Sequence, residues 1–169
     1  GNPWDPWNPL WNGLSETRGT DSLDPMEPME TMESIETIRE NFSFFDDWED
    51  KYRFVIDLGK EIPELEEKYK TTDHLVPGCQ SQVWLVTDFN SDDPRQRLRI
   101  DSDAHIVRGL IAIVLAAYAT KNVEQIKDYA IEKLFEELHL LSHLSQTRGN
   151  GLKAMVARIQ QAAHQHLYS

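Results

Sequence analysis

Residues 83–101 read VWLVTDFNSDDPRQRLRID. Val83 to Thr87 is apolar and β-branched, the composition of a strand. Asp88 to Pro94 is dense in Asp, Asn, Ser and Pro, the chemistry of a turn between strands. Gln96 to Asp101 then returns with Leu98 and Ile100 on one face and Arg97 and Arg99 on the other. A period of two with a polar outer face predicts antiparallel pairing, with one side on the core and one in water.

On both sides of this hairpin the apolar period changes from two to that of a helix. Ile35 to Phe45 places Ile35, Ile38 and Phe42 together. Asp46-Asp47-Trp48-Glu49 has the form of a capping box with Asp46 as cap. The helix it opens carries Trp48, Tyr52, Val55, Ile56 and Gly59 as an apolar stripe, and Pro63 bounds it. Glu64 to Tyr69 predicts a further helical turn. After the hairpin, Ser102 or Asp103 is expected to cap a helix through Ile106, Leu110, Ile111 and Val114. That helix is apolar around most of its circumference and so is expected to be central. Val123 to Tyr129 and Ile131 to Leu138 predict shorter helices. Ser145 or Thr147 opens a last one through Leu152, Met155 and Ile159. Gly149 and Gly151 in its first turn are poor helix formers, which predicts a close neighbour there. The fold class is α+β: a small antiparallel sheet packed against several α-helices in a single domain. Residues 35–169 are long enough for one core.

Residues 1–34 hold five of the eight prolines, seven acidic residues and one arginine, with Trp4, Trp7 and Trp11 between the prolines. Such a segment buries too little apolar surface to offset its ordering entropy. It is expected to be a disordered leader, in part vector-derived ahead of a start near Met26, Met29 or Met32. A linear docking motif with aromatic anchors is the alternative. The whole chain has a formal net charge of −12, which disfavours binding to nucleic acid or to an anionic membrane. Its most apolar stretch, Ile106 to Ala119, contains Arg108 and is too short to span a bilayer.

Cys79 is the only cysteine among 169 residues. It can form no internal disulfide and no multi-thiolate metal site, so it is either a small buried hydrophobe or a nucleophile. Pro77 and Gly78 before it and the polar Gln80, Ser81 and Gln82 after it suggest a turn that presents a side chain at its apex.

Four segments lie in register with one known family. They are Gly78-Cys79-Gln80-Ser81-Gln82-Val83-Trp84, Asp101-Ser102-Asp103-Ala104 running into Ile106-Val107-Arg108-Gly109-Leu110, Trp48-Glu49-Asp50-Lys51-Tyr52, and Thr147-Arg148-Gly149-Asn150-Gly151-Leu152. Together they resemble the SufE family over residues 35–165. These are sulfur acceptors that serve cysteine desulfurases in iron–sulfur cluster assembly. The resemblance implies that Cys79 takes persulfide sulfur from a pyridoxal-phosphate-dependent cysteine desulfurase and stimulates it. It further implies that the sulfur passes on to an iron–sulfur scaffold complex. On this reading the chain is a cytoplasmic carrier with no cofactor and no metal of its own, the pyridoxal phosphate belonging to the desulfurase. Gly78, Gln80, Ser81, Gln82, Asp103 and Arg148 are the expected supporting residues of the loop and partner contact. The family also implies a thiol that is sheltered until the partner docks. Asp101 and Asp103 are expected near the loop, where a carboxylate lowers the thiolate fraction. Asp103 reads first as a helix cap and second as a lever on the loop. Arg148 could hold loop carbonyls. Glu136 matches an acidic family position but reads as a solvated helix face, while Trp48 and Trp84 read as core. His105 departs from the family's usual small residue.

Two other readings stay open from the residues. A cysteine hydrolase would need one of His74, His105, His139, His143, His164 or His166 as a base within hydrogen-bonding reach of Cys79. A pure interaction module would leave Cys79 inert.

Overall fold

The computed structural model describes residues 33–78 and 81–168. The expectations for the leader and for Cys79 and Gln80 fall outside the described residues. In chain order come α1 (Ile35–Phe44), α2 (Trp48–Gly59), two 3-10 turns (Glu67–Tyr69 and Thr72–His74), and β1 (Val83–Thr87). A helical turn α3 (Pro94–Arg97), β2 (Leu98–Ser102), α4 (His105–Tyr118), α5 (Val123–Asp128) and α6 (Ile131–Glu137) follow. A third 3-10 turn (Leu141–His143) leads into the long α7 (Gln146–Tyr168). The class is α+β, as expected.

Local chemistry explains the helix starts. Ser34 accepts from the Thr37 amide at 3.2 Å to open α1. At α2 the cap is Asp47, which accepts from the Asp50 amide at 2.8 Å. The expected Asp46 cap with Glu49 reaching back is thus displaced by one residue, and Glu49 pairs with Arg53 instead. Ser145 accepts from the Arg148 amide at 3.2 Å, so Ser145 rather than Thr147 opens α7. Neither Ser102 nor Asp103 is the cap residue of α4. That position is Ala104, without a side-chain cap bond; the Ser102 hydroxyl takes the Ala104 amide and the Asp103 carboxylate is used elsewhere.

β1 and β2 pair antiparallel with Val83 opposite Ser102 and Thr87 opposite Leu98. β2 starts at Leu98 because Asp93 caps Pro94–Arg97 into a helical turn. The expected solvated outer face is covered. Leu65, Trp84 and Val86 form a second small core with Tyr69 and Leu75 against them, and Arg99 stands over the Tyr69 ring at 4.9 Å. The segment between α2 and β1 therefore serves as a lid on the sheet. The main core lies on the other face around α4, whose Ile111, Ile113 and Val114 are fully buried. Trp84 is buried and Trp48 half-buried, the latter stacked on His143 at 3.7 Å. The Tyr52 hydroxyl donates to the His143 carbonyl. These contacts fasten the turn before α7 to α2.

Backbone-on-backbone packing occurs at Gly59 and Gly109 rather than at Gly149. A Cβ on Gly149 would meet only Leu141 Cδ2 at 3.6 Å, an ordinary contact. A Cβ on Gly109 would lie 2.1 Å from the Val55 carbonyl oxygen, and one on Gly59 would lie 2.6 Å from the Gly109 nitrogen. The backbones of α2 and α4 touch at this crossing. Arg108, beside it, donates to the Gly59 and Ile62 carbonyls at 3.2 and 2.9 Å and to the Asp101 carboxylate. Asp101 is 1% exposed and also accepts from the Leu65 amide at 3.0 Å and the Ser102 amide at 2.8 Å.

Gly109→Ala is expected to destabilise the domain by about 3 kcal/mol or more, because backbone atoms cannot yield to a methyl group. Gly149→Ala is expected to be neutral or to stabilise by up to about 1 kcal/mol. Asp101→Ala leaves the part-buried Arg108 guanidinium and the Leu65 and Ser102 amides without their acceptor and should cost about 3 kcal/mol. By contrast, Lys70→Ala, which removes a cation 3.8 Å from the same carboxylate, should cost less than Asp101→Ala, since the guanidinium and both amides stay in place. Denaturant unfolding of the four variants checks these orderings.

Candidate functional site

The expected site residues gather at the tip of a hairpin that the sequence did not reveal. Leu75 bridges Trp84 in antiparallel fashion, and the Val76 amide donates to the Val83 carbonyl at 2.8 Å. The described ends of the loop, on either side of Cys79 and Gln80, are thereby brought together at their base along β1. Gly78 has φ +86, the left-handed region in which a Cβ is strained. A Cβ there would also approach Ala154 Cβ at 3.5 Å. The described start of the loop is thus turned against the flank of α7.

The other end is held by Asp103. Its carboxylate accepts from the Gln82 amide at 3.0 Å, and its own amide donates to the Gln82 carbonyl at 3.3 Å. This reciprocal pair extends the β1–β2 ladder by one position around the entry to α4. Of the two readings of Asp103, the geometry is that of a tie on the loop. Asp101 does not join it: its carboxylate turns to Arg108 and to the amides of the lid segment and of Ser102.

Two depressions flank the tip. A cavity of about 30 Å³ is formed mainly by Val83, Val107, Leu110, Leu152 and Met155, together with Ser81 and Arg148. Its interior is apolar, and Arg148 is the one charged residue in its lining. An open groove of about 570 Å³ lies between the Thr72–His74 turn and α7, with Asp73, Pro77, Gly78 and Gln82 among its walls and Arg158 on α7. Ser81 borders both. The structure therefore groups Gly78, Ser81, Gln82 and Asp103 directly, and sets Arg148 across the cavity from Ser81. Glu136 is exposed on α6. Arg158 carried no sequence signal, since an arginine late in an amphipathic helix reads as ordinary surface.

None of the six histidines lines either depression among the described residues. His74 instead shares a hydrogen bond with Thr71 at 3.0 Å, and its ring meets Tyr69 edge to face. Among the described residues no group of three His, Cys, Asp or Glu side chains could hold a metal ion. No described helix is long and apolar enough to cross a membrane.

Asp103→Ala removes the tie on the Gln82 amide. It is expected to raise the alkylation rate of Cys79 several-fold while lowering domain stability by about 1 kcal/mol. Timed iodoacetamide labelling beside thermal unfolding checks both, and an unchanged labelling rate would show that the tie does not restrain the tip.

Residues 36–163 match the family described as SufE, Fe-S metabolism associated domain. An uncharacterized SufE-like protein of Rhizobium etli is 49% identical over 128 residues, covering 75% of this chain and 86% of its relative. Another uncharacterized SufE-like protein, from Rhizobium meliloti, is 46% identical over 132 residues, covering 77% of this chain and 94% of its own length. The match takes in both ends of the hairpin tip, the Asp101–Arg108 corner and the first turns of α7. By these matches the chain belongs to the SufE family, whose domain is associated with iron–sulfur metabolism.

Proposed function

We propose that the chain accepts persulfide sulfur on Cys79 from a pyridoxal-phosphate-dependent cysteine desulfurase and passes it on for iron–sulfur cluster assembly. The observation that carries this reading is the anchored hairpin tip. Val76 and Val83 close its base, Asp103 ties Gln82, and Gly78 turns against α7. In sequence, the only cysteine of the chain lies between those fixed ends. Such a frame can present one thiol to a second protein while limiting the conformations the tip samples.

The chemistry needs little else. The Cys79 thiolate attacks the outer sulfur of the donor's persulfide. A new S–S bond forms at Cys79, the donor's S–S bond breaks, and its electron pair leaves on the donor thiolate. Atoms and charge balance without an external oxidant. An ordinary cysteine is only a few per cent thiolate near neutral pH. Arg148 and Arg158 line the two depressions that Ser81 borders, and a cation close to a thiol favours its anionic form. The carrier emptied of sulfur is regenerated when it delivers to a scaffold complex. Since emptying the donor restores its nucleophile, stimulation of the desulfurase follows from the transfer itself. The chain acts as a carrier rather than as an enzyme, brings no cofactor, and works in a reducing compartment such as the cytoplasm.

Incubation with a cysteine desulfurase and free cysteine, without added reductant, is expected to raise the mass of the Cys79 peptide by one sulfur atom. Cys79→Ser should abolish both this gain and the stimulation of the desulfurase. Stimulation that survives Cys79→Ser would identify an interaction module with an inert thiol and defeat the reading.

A further inference from the structure

The end of α1 and the start of α2 carry aromatic surface that neither core uses. Phe44 is 76% exposed and Phe45 half-buried, and neither belongs to the two hydrophobic clusters. The buried stripe of α1 runs through Ile38, Asn41 and Phe42, and a residue two positions after Phe42 faces away from it. The Phe44 ring meets Phe45 at 5.6 Å, Phe45 meets Phe54 at 5.7 Å, and Phe54 meets the buried Phe42 at 5.9 Å. An aromatic row thus runs from the core out to water, and its outermost ring is uncovered among the described residues.

Carboxylates surround this row. From Glu40 to Asp57 the chain has six acidic residues against Lys51 and Arg53. Glu40 precedes Phe44 by four residues on α1, and Asp50 precedes Phe54 by four on α2, so each shares a helix face with a ring. Asp46 follows Phe45 directly. Arg53 is engaged by Glu49 and Asp50 at 2.8 and 3.8 Å, whereas Glu40 and Asp46 enter no ion pair among the described residues. Lys51 stands over the Trp48 ring at 4.9 Å, an example within the chain of a cation resting on an aromatic face.

We propose that this corner is a docking surface for a basic segment of another protein that presents an apolar face. Aliphatic side chains of that segment cover Phe44, and its arginine or lysine heads meet Glu40, Asp46 and the ring faces. Charge selects this occupant over others. The same carboxylates repel anionic lipid and nucleic acid. A second copy joined corner to corner about a two-fold axis would set Glu40 and Asp46 against like charges. No residue of α1 or α2 lines either depression beside the loop, so the surface is separate from that site and the proposal does not depend on sulfur transfer.

The test uses a dye-labelled helical peptide about 16 residues long, with leucines on one face and arginines on the other. Its binding to the full-length chain is read by fluorescence anisotropy at low and at high salt. Phe44→Ser is expected to weaken binding about tenfold at both, with thermal unfolding unchanged because the ring is exposed. Glu40→Lys combined with Asp46→Lys should weaken it about tenfold at low salt, a deficit that shrinks at high salt. Two controls should each alter binding less than about twofold. Tyr168→Ser removes the other large exposed ring, and Asp92→Lys with Glu124→Lys makes the same charge change outside the corner. Losses in the controls equal to those in the corner variants would reduce the effect to general stickiness or net charge and overturn the assignment. Equal binding of a peptide with glutamates in place of the arginines would overturn it too, as would no binding of the arginine peptide by the wild type. A wild-type dimer that Phe44→Ser dissolves would make a second copy the occupant, which also defeats it.

Discussion

The backbone contact between α2 and α4 at Gly59 and Gly109 governs the geometry of everything near the hairpin tip. With the helix backbones touching, any side chain larger than hydrogen at Gly109 would overlap the Val55 carbonyl group. That proximity brings Arg108 onto the C-terminal end of α2, where it takes the Gly59 carbonyl at the negative end of the helix dipole and the Ile62 carbonyl just beyond the helix. The same guanidinium holds Asp101 at the end of β2. Two residues further on, Asp103 ties Gln82. The position of the loop is thus inherited, through one arginine and one corner of backbone, from a helix crossing.

Asp101 is an uncommon residue in that chain of contacts because it is almost wholly buried. Its desolvation is offset only because every nearby donor is aimed at it: a guanidinium, two backbone amides, and the Lys70 ammonium at 3.8 Å. A buried pair of this kind adds little net stability compared with apolar residues of the same shape. Its effect is on register. Leu65 can satisfy its amide there only if the lid segment lies in one place over the sheet. That place puts Leu65, Tyr69 and Leu75 over Trp84 and Val86. Leu75 is then set to bridge Trp84, and Val76 to close the base of the tip. The lid and the loop base are consequences of one carboxylate.

The sequence made the elements legible and left most of their partners hidden. Val83 to Thr87 is strand by composition, and the residues after His105 are apolar on so much of their circumference that only a central helix fits. Errors came where the deciding contact is distant in the chain. The Arg99 face read as solvated because Tyr69, thirty residues earlier, covers it. Gly149 drew attention through its poor helix propensity, a local signal, whereas Gly59 and Gly109 matter through a contact fifty residues apart. Asp103 read as a cap because caps are local, yet its partner is Gln82 on another strand. Adjacent Asp46 and Asp47 could not be told apart by spacing, and the structure uses the second. Motif matching gathered Gly78, Ser81, Gln82, Asp103 and Arg148 without regard to distance in the chain, and these residues border one stretch of the surface. It passed over Arg158, which no local pattern distinguishes.

Net charge does not fix the charge of one patch of surface, because at 0.1 M salt the field of an exposed charge fades within about 10 Å. The described charged residues lining the two depressions are Arg148, Arg158 and Asp73, with Asp103 beside Gln82. Of these, Asp103 is engaged by the Gln82 amide, which draws its charge toward the backbone. Among the described residues the linings then hold two arginines and one aspartate outside any ion pair, an excess of positive charge beside the loop. An acidic chain can in this way carry a locally cationic surface, because short-range screening separates patch from total.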